Sequence, residues 1–362
     1  MTIIQEPADN SLYFQKSIPD IILQKNGADT LLMFELKKGA DVILLEKYVY
    51  DVAGFIHIRN IGEIVEKYFT LSELLLGFSF TITEGATVHT VSFRCLKCDA
   101  DMSVEAVLWT QLNFLTRSFL EKRTSKSRNE YLSFLQKNSY GVVNKQFKVY
   151  YMLDNVLTNL VGTLGNIAAS VADQITTFNA SMGELLTAAN LAGSTKILQY
   201  EIWLTGTGFE TQKYSYIVDN SPYRDRKYFV FTNCFGVLET FTATGRTDIK
   251  KTPEYNLGNI ENHYRKISQD FVAENSIYSG FLTESEMDWV DDLLLSYNIS
   301  TYTPGATGSE KEIALTTVDK TDTEANELQA FKFEYRYSKT NHREFVNAAK
   351  GIFDDTFDEK FD

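Results

Sequence analysis

Cysteine, proline and tryptophan are scarce in this chain. The three cysteines (Cys95, Cys98, Cys234) are too few, and odd in number, for a disulfide framework. Only 5 prolines interrupt 362 residues, which leaves extended strands largely unbroken. No apolar run approaches the ~20 residues of a bilayer-spanning helix. Met1–Pro7 lacks the basic start and apolar stretch of a secretory signal, so the chain is expected to begin life in the cytoplasm. Positive charge is also short, with 35 Lys plus Arg against 48 Asp plus Glu and a net charge of −13. That field repels phosphate and anionic lipid at long range, so no nucleic acid is expected as a partner and no membrane span is expected. The basic run Glu121–Arg128 holds four cations in eight residues, but it has no second basic cluster and no stacking aromatics. It reads as a solvated loop.

Signatures of catalysis are missing as well. There is no G-x-S-x-G elbow, no Walker-type loop and no EF-hand loop. Cys95 and Cys98 have CxxC spacing, yet no second pair of thiols or imidazoles follows at the distance a zinc site uses. His57, His89, His263 and His342 stand alone, and His57 and His89 fall within strand-like runs. Leu204–Phe209 carries two spaced glycines but no dinucleotide fingerprint, so it reads as a turn. The carboxylates Asp288, Asp291 and Asp292 are expected on the polar face of a helix, and Asp354, Asp355, Asp358 and Glu359 in a terminal tail. Neither group is expected in a cleft of the kind a glycoside hydrolase needs. No catalytic, cofactor-binding or metal-ligating residue is assigned, and no cofactor.

What the chain does have is aromatic and β-branched alternation, from 25 Phe and 20 Tyr and a hydrophobic share of 44 %. Thr30–Leu36, Val42–Leu45 and Gly54–Arg59 read as strands with turn signals between them. Leu76–Ile82 and Val88–Cys95 read as a hairpin about Thr83–Ala86. Ile61, Val65 and Tyr68 make one helical stripe, and a second helix is expected over Asn129–Leu135, capped near Ser127. Further along, Phe147–Tyr151, Ile197–Leu204, Lys227–Thr232 and Val237–Thr244 alternate, the last two flanking the loop Asn233–Gly236. Leu157–Gly193 follows neither period and stays open between weak helix and long loop. Thr283–Glu286 is a capping box, leading into the apolar stripe of Met287, Val290, Leu293 and Leu294. Ala330–Tyr337 is a late alternating strand, and Gly351–Asp362 mixes acidic and aromatic residues with too little apolar mass for a core.

These patterns predict a mainly β protein with minor α, built of tandem antiparallel β-sandwich or barrel-like domains with a few short helices. The expected division is a β-rich domain over 1–138, a middle β domain over 139–245 and an α+β part over 246–345. An acidic-aromatic arm over 346–362 completes it.

Three sets of stretches carry a resemblance. They are Asn113–Thr116 with Asn129–Phe134; Tyr228–Glu239 with Ser279–Leu282 and Trp289–Ser296; and Phe331–Arg336 with Ile352–Asp358. Together they resemble uncharacterised structural proteins encoded by tailed phages and prophages of gut Bacteroidota, crAss-like viruses among them. The resemblance spans most of the chain but not Leu157–Gly193, and it carries over no functional residue. It implies a non-enzymatic virion component of the tail or baseplate, assembled in the host cytoplasm. Its partners would be other copies of itself in a ring or sleeve and neighbouring tail proteins, with the arm making contacts between subunits. Two other functions stay open. One is a receptor- or glycan-binding tail module, with Tyr297 and Tyr302 as stacking candidates. The other is a polysaccharide or cell-wall hydrolase, which needs two carboxylates in a cleft.

Overall fold

The computed structural model describes residues 1–27, 31–118, 120–193, 195–223, 226–260, 263–321 and 329–338, with backbone alone over 253–260 and 263–272. The expected arm over 346–362, His342 and the side chain of His263 lie outside the described residues. The fold is mainly β with short helices, as the alternation requires, and its sheets fall into three successive modules.

The first module contains β1 (Thr2–Gln5), β2 (Ser11–Phe14), β3 (Ile21–Gln24), β4 (Leu31–Lys38), β5 (Asp41–Val49) and β6 (Phe55–Ile58). Helix α1 (Ile61–Glu66), β7 (Leu75–Glu84) and β8 (Thr87–Leu96) complete it. A three-stranded sheet β1-β3-β6 faces a five-stranded sheet β2-β8-β7-β4-β5. Every second residue points inward, so Ile21, Leu23, Ile56 and Ile58 of one sheet meet Phe34, Leu36, Phe80 and Phe93 of the other in a common core. The expected hairpin is β7 and β8, paired from Leu75↔Leu96 to Glu84↔Thr87. The expected stripe of α1 buries Ile61 and Val65 against this sandwich.

The second module opens with α2 (Ala106–Leu112), β9 (Glu121–Thr124), β10 (Tyr131–Gln136), β11 (Val143–Leu153) and β12 (Val156–Ile167). It continues with β13 (Gln174–Asn179), α3 (Met182–Ala188), β14 (Lys196–Gly206), β15 (Phe209–Glu210) and β16 (Tyr214–Val218). A six-stranded sheet runs β12-β11-β14-β16-β9 with β15 off β14, and the pair β10-β13 packs over the same aromatic core. Two expectations fail here. Tyr131–Gln136 is a strand, not a helix, because its partner β13 supplies a full antiparallel ladder from Tyr131↔Asn179 to Gln136↔Gln174. The stretch left open, Leu157–Gly193, is mostly β12, β13 and α3. β12 half-buries one face, with Leu160, Leu164 and Ile167 against the core, while Leu157 and Val161 on its other face are exposed, so apolar residues on both faces blur the period.

The third module holds β17 (Lys227–Thr232), β18 (Leu238–Ala243), β19 (Thr247–Ile260), β20 (His263–Tyr278), α4 (Glu284–Leu294), β21 (Ile299–Tyr302), β22 (Lys311–Asp319) and β23 (Lys332–Tyr337). They form one sheet in the order β18-β17-β21-β22-β23-β20-β19. The capping box at Thr283 is present, with both the Thr283 and Glu286 side chains engaged, and α4 packs Met287, Trp289, Val290 and Leu293 on the sheet. β19 and β20 pair along their whole length, from Thr247↔Ile277 to Ile260↔His263. β20 pairs with β23 only from Asn275 to Tyr278. Beyond that rung the two strands run on as a ribbon of about 30 Å, at ~3.3 Å per residue.

Strand pairing divides the chain differently from the expected boundaries at 138 and 245. β9 joins the second module by parallel pairing with β16, and β10 joins it through β13. β17 and β18 pair into the third module's sheet through β21. Two parallel pairings, β2 with β8 and β9 with β16, also depart from a purely antiparallel plan. A fourth core joins the modules, drawing Leu12 and Phe14 from the first, Leu115 and Leu135 from the second, and Cys234 and Phe235 from the turn between β17 and β18.

Candidate functional site

The densest gathering of ionisable groups lies where the second and third modules meet, and it starts in the basic run expected to be solvated. Alternation along β9 turns Lys122 and Thr124 inward and Arg123 toward the neighbouring module. Glu130, fully buried, accepts from Lys122 Nζ at 3.1 Å and Thr124 Oγ1 at 2.7 Å, and Arg128 Nε stands 2.8 Å from it. The Thr240 hydroxyl of β18 lies 3.1 Å from the same carboxylate, and Arg128 also donates to the Thr240 carbonyl. Burial holds the Lys122 amine below its usual range, against the pull of Glu130. Its ammonium stands 4.7 Å over the Trp289 ring. The basic run is therefore part of a buried, matched cluster, and a loop in water is the wrong description of it.

A second set of groups continues from it. Trp289 Nε1 donates to Glu239, whose other oxygen takes Asn233 Nδ2 at 2.8 Å. Asp292 was expected on a solvated helix face, yet it is 4 % exposed. Arg117 Nη1 donates to it at 3.1 Å. Burial, and then the charge of Glu239, pushes the Asp292 carboxyl up to about 6. Of its helix neighbours, Asp288 is exposed and Asp291 takes Lys320. Arg123 binds Glu286 through Nε at 2.8 Å and the Phe281 carbonyl at 2.6 Å. Although burial opposes ionisation, Arg123 holds the Glu286 carboxyl below its usual range. One carboxylate thus serves the α4 cap and the intermodule ion pair together.

The cysteines enter the same region. Cys95 points into the first module's core and Cys98 into the shared one, so CxxC spacing separates the two thiols instead of joining them. Cys234, distant in sequence, is brought to Cys98, with Asp99 N donating to the Cys234 carbonyl at 2.9 Å. All three are free and buried. The bond to Cys98, then burial, pushes the Cys234 thiol far up, and burial does the same to Cys95. Neither is poised as a nucleophile. Among the described residues no group of three or more His, Cys, Asp or Glu is arranged to hold a metal ion, and no helix is long and apolar enough to cross a membrane.

Other singled-out residues scatter. His57 is exposed on β6, and His89 lies 2.8 Å from Glu6. Tyr297 is exposed, whereas Tyr302 is buried and its hydroxyl accepts from Asn129 N at 3.1 Å. They do not form a stacking pair. A groove of about 480 Å³ opens between the modules, lined by Leu74, Leu76, Asp173, Gln174, Ile175 and Val237 among others. Its carboxylates are engaged, Glu73 with Lys38 and Asp173 with Arg94. A smaller cavity of about 50 Å³ beside Ser125, Thr242 and Arg226 has room for one or two waters. Neither Glu239 nor Asp292 lines either cavity. Glu130 stands only two residues beyond the basic run and sequence reasoning missed it, whereas Thr240 comes from 110 residues away and nothing near the run announces it.

No family model matches the chain, and no curated protein does. Among solved structures it is similar to a three-immunoglobulin-domain structure of titin in an E-to-A mutated variant. That match has 8 % identity and covers 76 % of this chain and 92 % of that one, with a TM-score of 0.20. A likeness at that level carries no argument about function.

Proposed function

We propose that this chain is a non-enzymatic structural component of a phage tail or baseplate, assembled in the host cytoplasm in several copies and carried in the virion. The observation that carries the reading is the β19–β20 ribbon. Past Lys251↔Ala273 its two strands have only each other among the described residues. An isolated two-stranded ribbon is marginal in water and gains stability by laying its face or edge on another chain. A neighbouring copy or an adjoining tail protein is the natural support, in keeping with the family the sequence resembles. The buried ion cluster fits the same role, since it locks the second and third modules into one rigid block that presents the ribbon at a fixed angle.

The test is to shorten the ribbon, joining Lys251 to Ala273 through an Asn-Gly turn, and to compare both proteins by light scattering and negative-stain microscopy. The full chain is expected to form discrete multimers and the shortened chain to remain smaller, with the β-type shape of its circular dichroism spectrum retained. Equal particle sizes for the two proteins at every concentration would remove the ribbon as the assembly element.

A further inference from the structure

Among the described residues nothing covers one face of the five-stranded sheet, and pairing register shows what it presents. Row by row, the face reads Val49 beside Leu31; then Lys47, Met33, Thr83 and Val88; then Leu45, Glu35, Thr81 and Thr90; then Val42, Lys37, Ser79 and Ser92. The alternate residues, Leu32, Phe34, Leu36, Phe80 and Ile82, point the other way into the sandwich core. The outward set includes six large apolar side chains, with exposures between 38 % for Met33 and 67 % for Val49. Between them lie short hydroxyl residues, and the Thr81 and Thr90 hydroxyls bond each other at 3.1 Å. Scattered single apolar residues on a surface need no explanation, but six on one side of one sheet mark a contact surface.

We propose that this face packs against the same face of a second copy of the chain, sheet on sheet about a two-fold axis. Charge selects a second copy as the occupant. The chain carries a net −13, yet the charged groups in these rows are Glu35, Lys37 and Lys47, with Glu35 and Lys37 paired at 2.7 Å. A face of one sign would repel itself, whereas this one offers a carboxylate and ammonium groups for the opposing copy to match. The short Thr and Ser side chains between the apolar ones favour the same partner, because aligned sheets pack about 10 Å apart with their side chains interdigitated. Four strands at ~4.8 Å spacing and about seven residues along each strand give roughly 400 Å², about half of the ~800 Å² per partner in a standard interface. The contact is therefore weak between two free chains and becomes firm when copies are already held in an array. It lies in the first module and does not depend on the ribbon of the third.

Sedimentation equilibrium of the full chain and of the shortened-ribbon chain, from about 5 to 200 μM, should show a reversible monomer–dimer step, to which the full chain adds its ribbon-driven multimers. Met33→Glu with Leu45→Glu should weaken it at least tenfold without altering the circular dichroism spectrum. Glu35→Lys alone should weaken it as well, and Glu35→Lys with Lys37→Glu should restore it. Leu45→Cys should be captured as a dimer by a bis-maleimide, since the native thiols are buried. The shortened-ribbon chain should keep the monomer–dimer step after losing the larger multimers, which separates this contact from the ribbon. A chain that stays monomeric throughout, a dimer indifferent to the Met33 and Leu45 changes, or a self-association lost on shortening the ribbon would each overturn the two-fold contact. The last result would make the neighbour's ribbon the occupant of this face.

Discussion

Asp292 and Arg117 stand 175 positions apart in the chain and 3.1 Å apart in space. The carboxyl is nevertheless pushed up to about 6, because burial and Glu239 outweigh the guanidinium. Its folded pKa therefore lies above its unfolded value, so the native state holds the extra proton between about pH 4 and 6. This group's contribution to stability is full below about pH 4 and is lost as pH rises through about 6, a difference on the order of 3 kcal/mol. Other carboxyls, Glu84, Asp173, Asp219 and Glu286, are shifted the opposite way and stabilise toward neutral pH. Comparing Asp292→Asn with the parent isolates the single group. The difference in urea midpoint between the two proteins should change steadily from pH 4 to 7, and a constant difference would contradict the shift.

Glu130 serves two buried cations, Lys122 and Arg128, while Lys122 has Glu130 as its one salt-bridge partner among the described residues. The costs of removing them are therefore unequal. Glu130→Gln takes the salt-bridge partner from both buried cations and should cost about 3–5 kcal/mol. Lys122→Met leaves Glu130 with Arg128, Thr124 and Thr240, and should cost clearly less. Equilibrium unfolding in urea ranks the two variants.

The three thiols should resist alkylation in the native protein. Cys95 and Cys234 have pKa values raised by burial, and Cys234 by its bond to Cys98 as well, so little thiolate exists at pH 8. Iodoacetamide labelling followed by mass spectrometry should find the native chain unmodified and the urea-unfolded chain carrying three adducts. Rapid labelling of Cys98 or Cys234 in the folded chain would mean that the core shared by the modules opens readily.

Gly62→Ala weighs two opposed effects. Alanine in place of glycine favours a helix by about 1 kcal/mol. A methyl at Gly62, however, would sit 2.2 Å from the Gln15 carbonyl oxygen, which is backbone and cannot swing away. Overpacking of this kind costs about 1–3 kcal/mol, so the clash wins. A lower melting temperature is the expected result, and an unchanged one would show that α1 can shift away from residues 15–17.

Where each strand buries one face, the pattern in the residues was sufficient. The β7–β8 and β17–β18 hairpins and the β23 strand follow simple alternation, and the α4 cap is a local motif of four residues. Tyr131–Gln136 misleads because all but its first residue is buried, so its apolar spacing imitates a helix stripe. β12 misleads because apolar residues lie on both its half-buried face, Leu160 and Leu164, and its exposed face, Leu157 and Val161. The ion cluster was illegible since a basic run with a nearby carboxylate looks the same whether Glu130 meets water or is buried under Thr240 of β18, and whether Glu286 of α4 arrives or not. Likewise, nothing near Cys98 announces that the β17–β18 turn will deliver Cys234 to it.

That turn has a consequence for the molecule as a whole. Phe235 sits at a hairpin tip, where side chains usually meet water, yet it is fully buried and lies 5.8 Å from the Phe14 ring. A plug shared by three neighbours makes them interdependent, because withdrawing any one strips the other two of their seal. Fragments cut at the module borders should come out sticky and half-melted. Heat should dismantle the intact chain in one step, with no sequence of separate meltings.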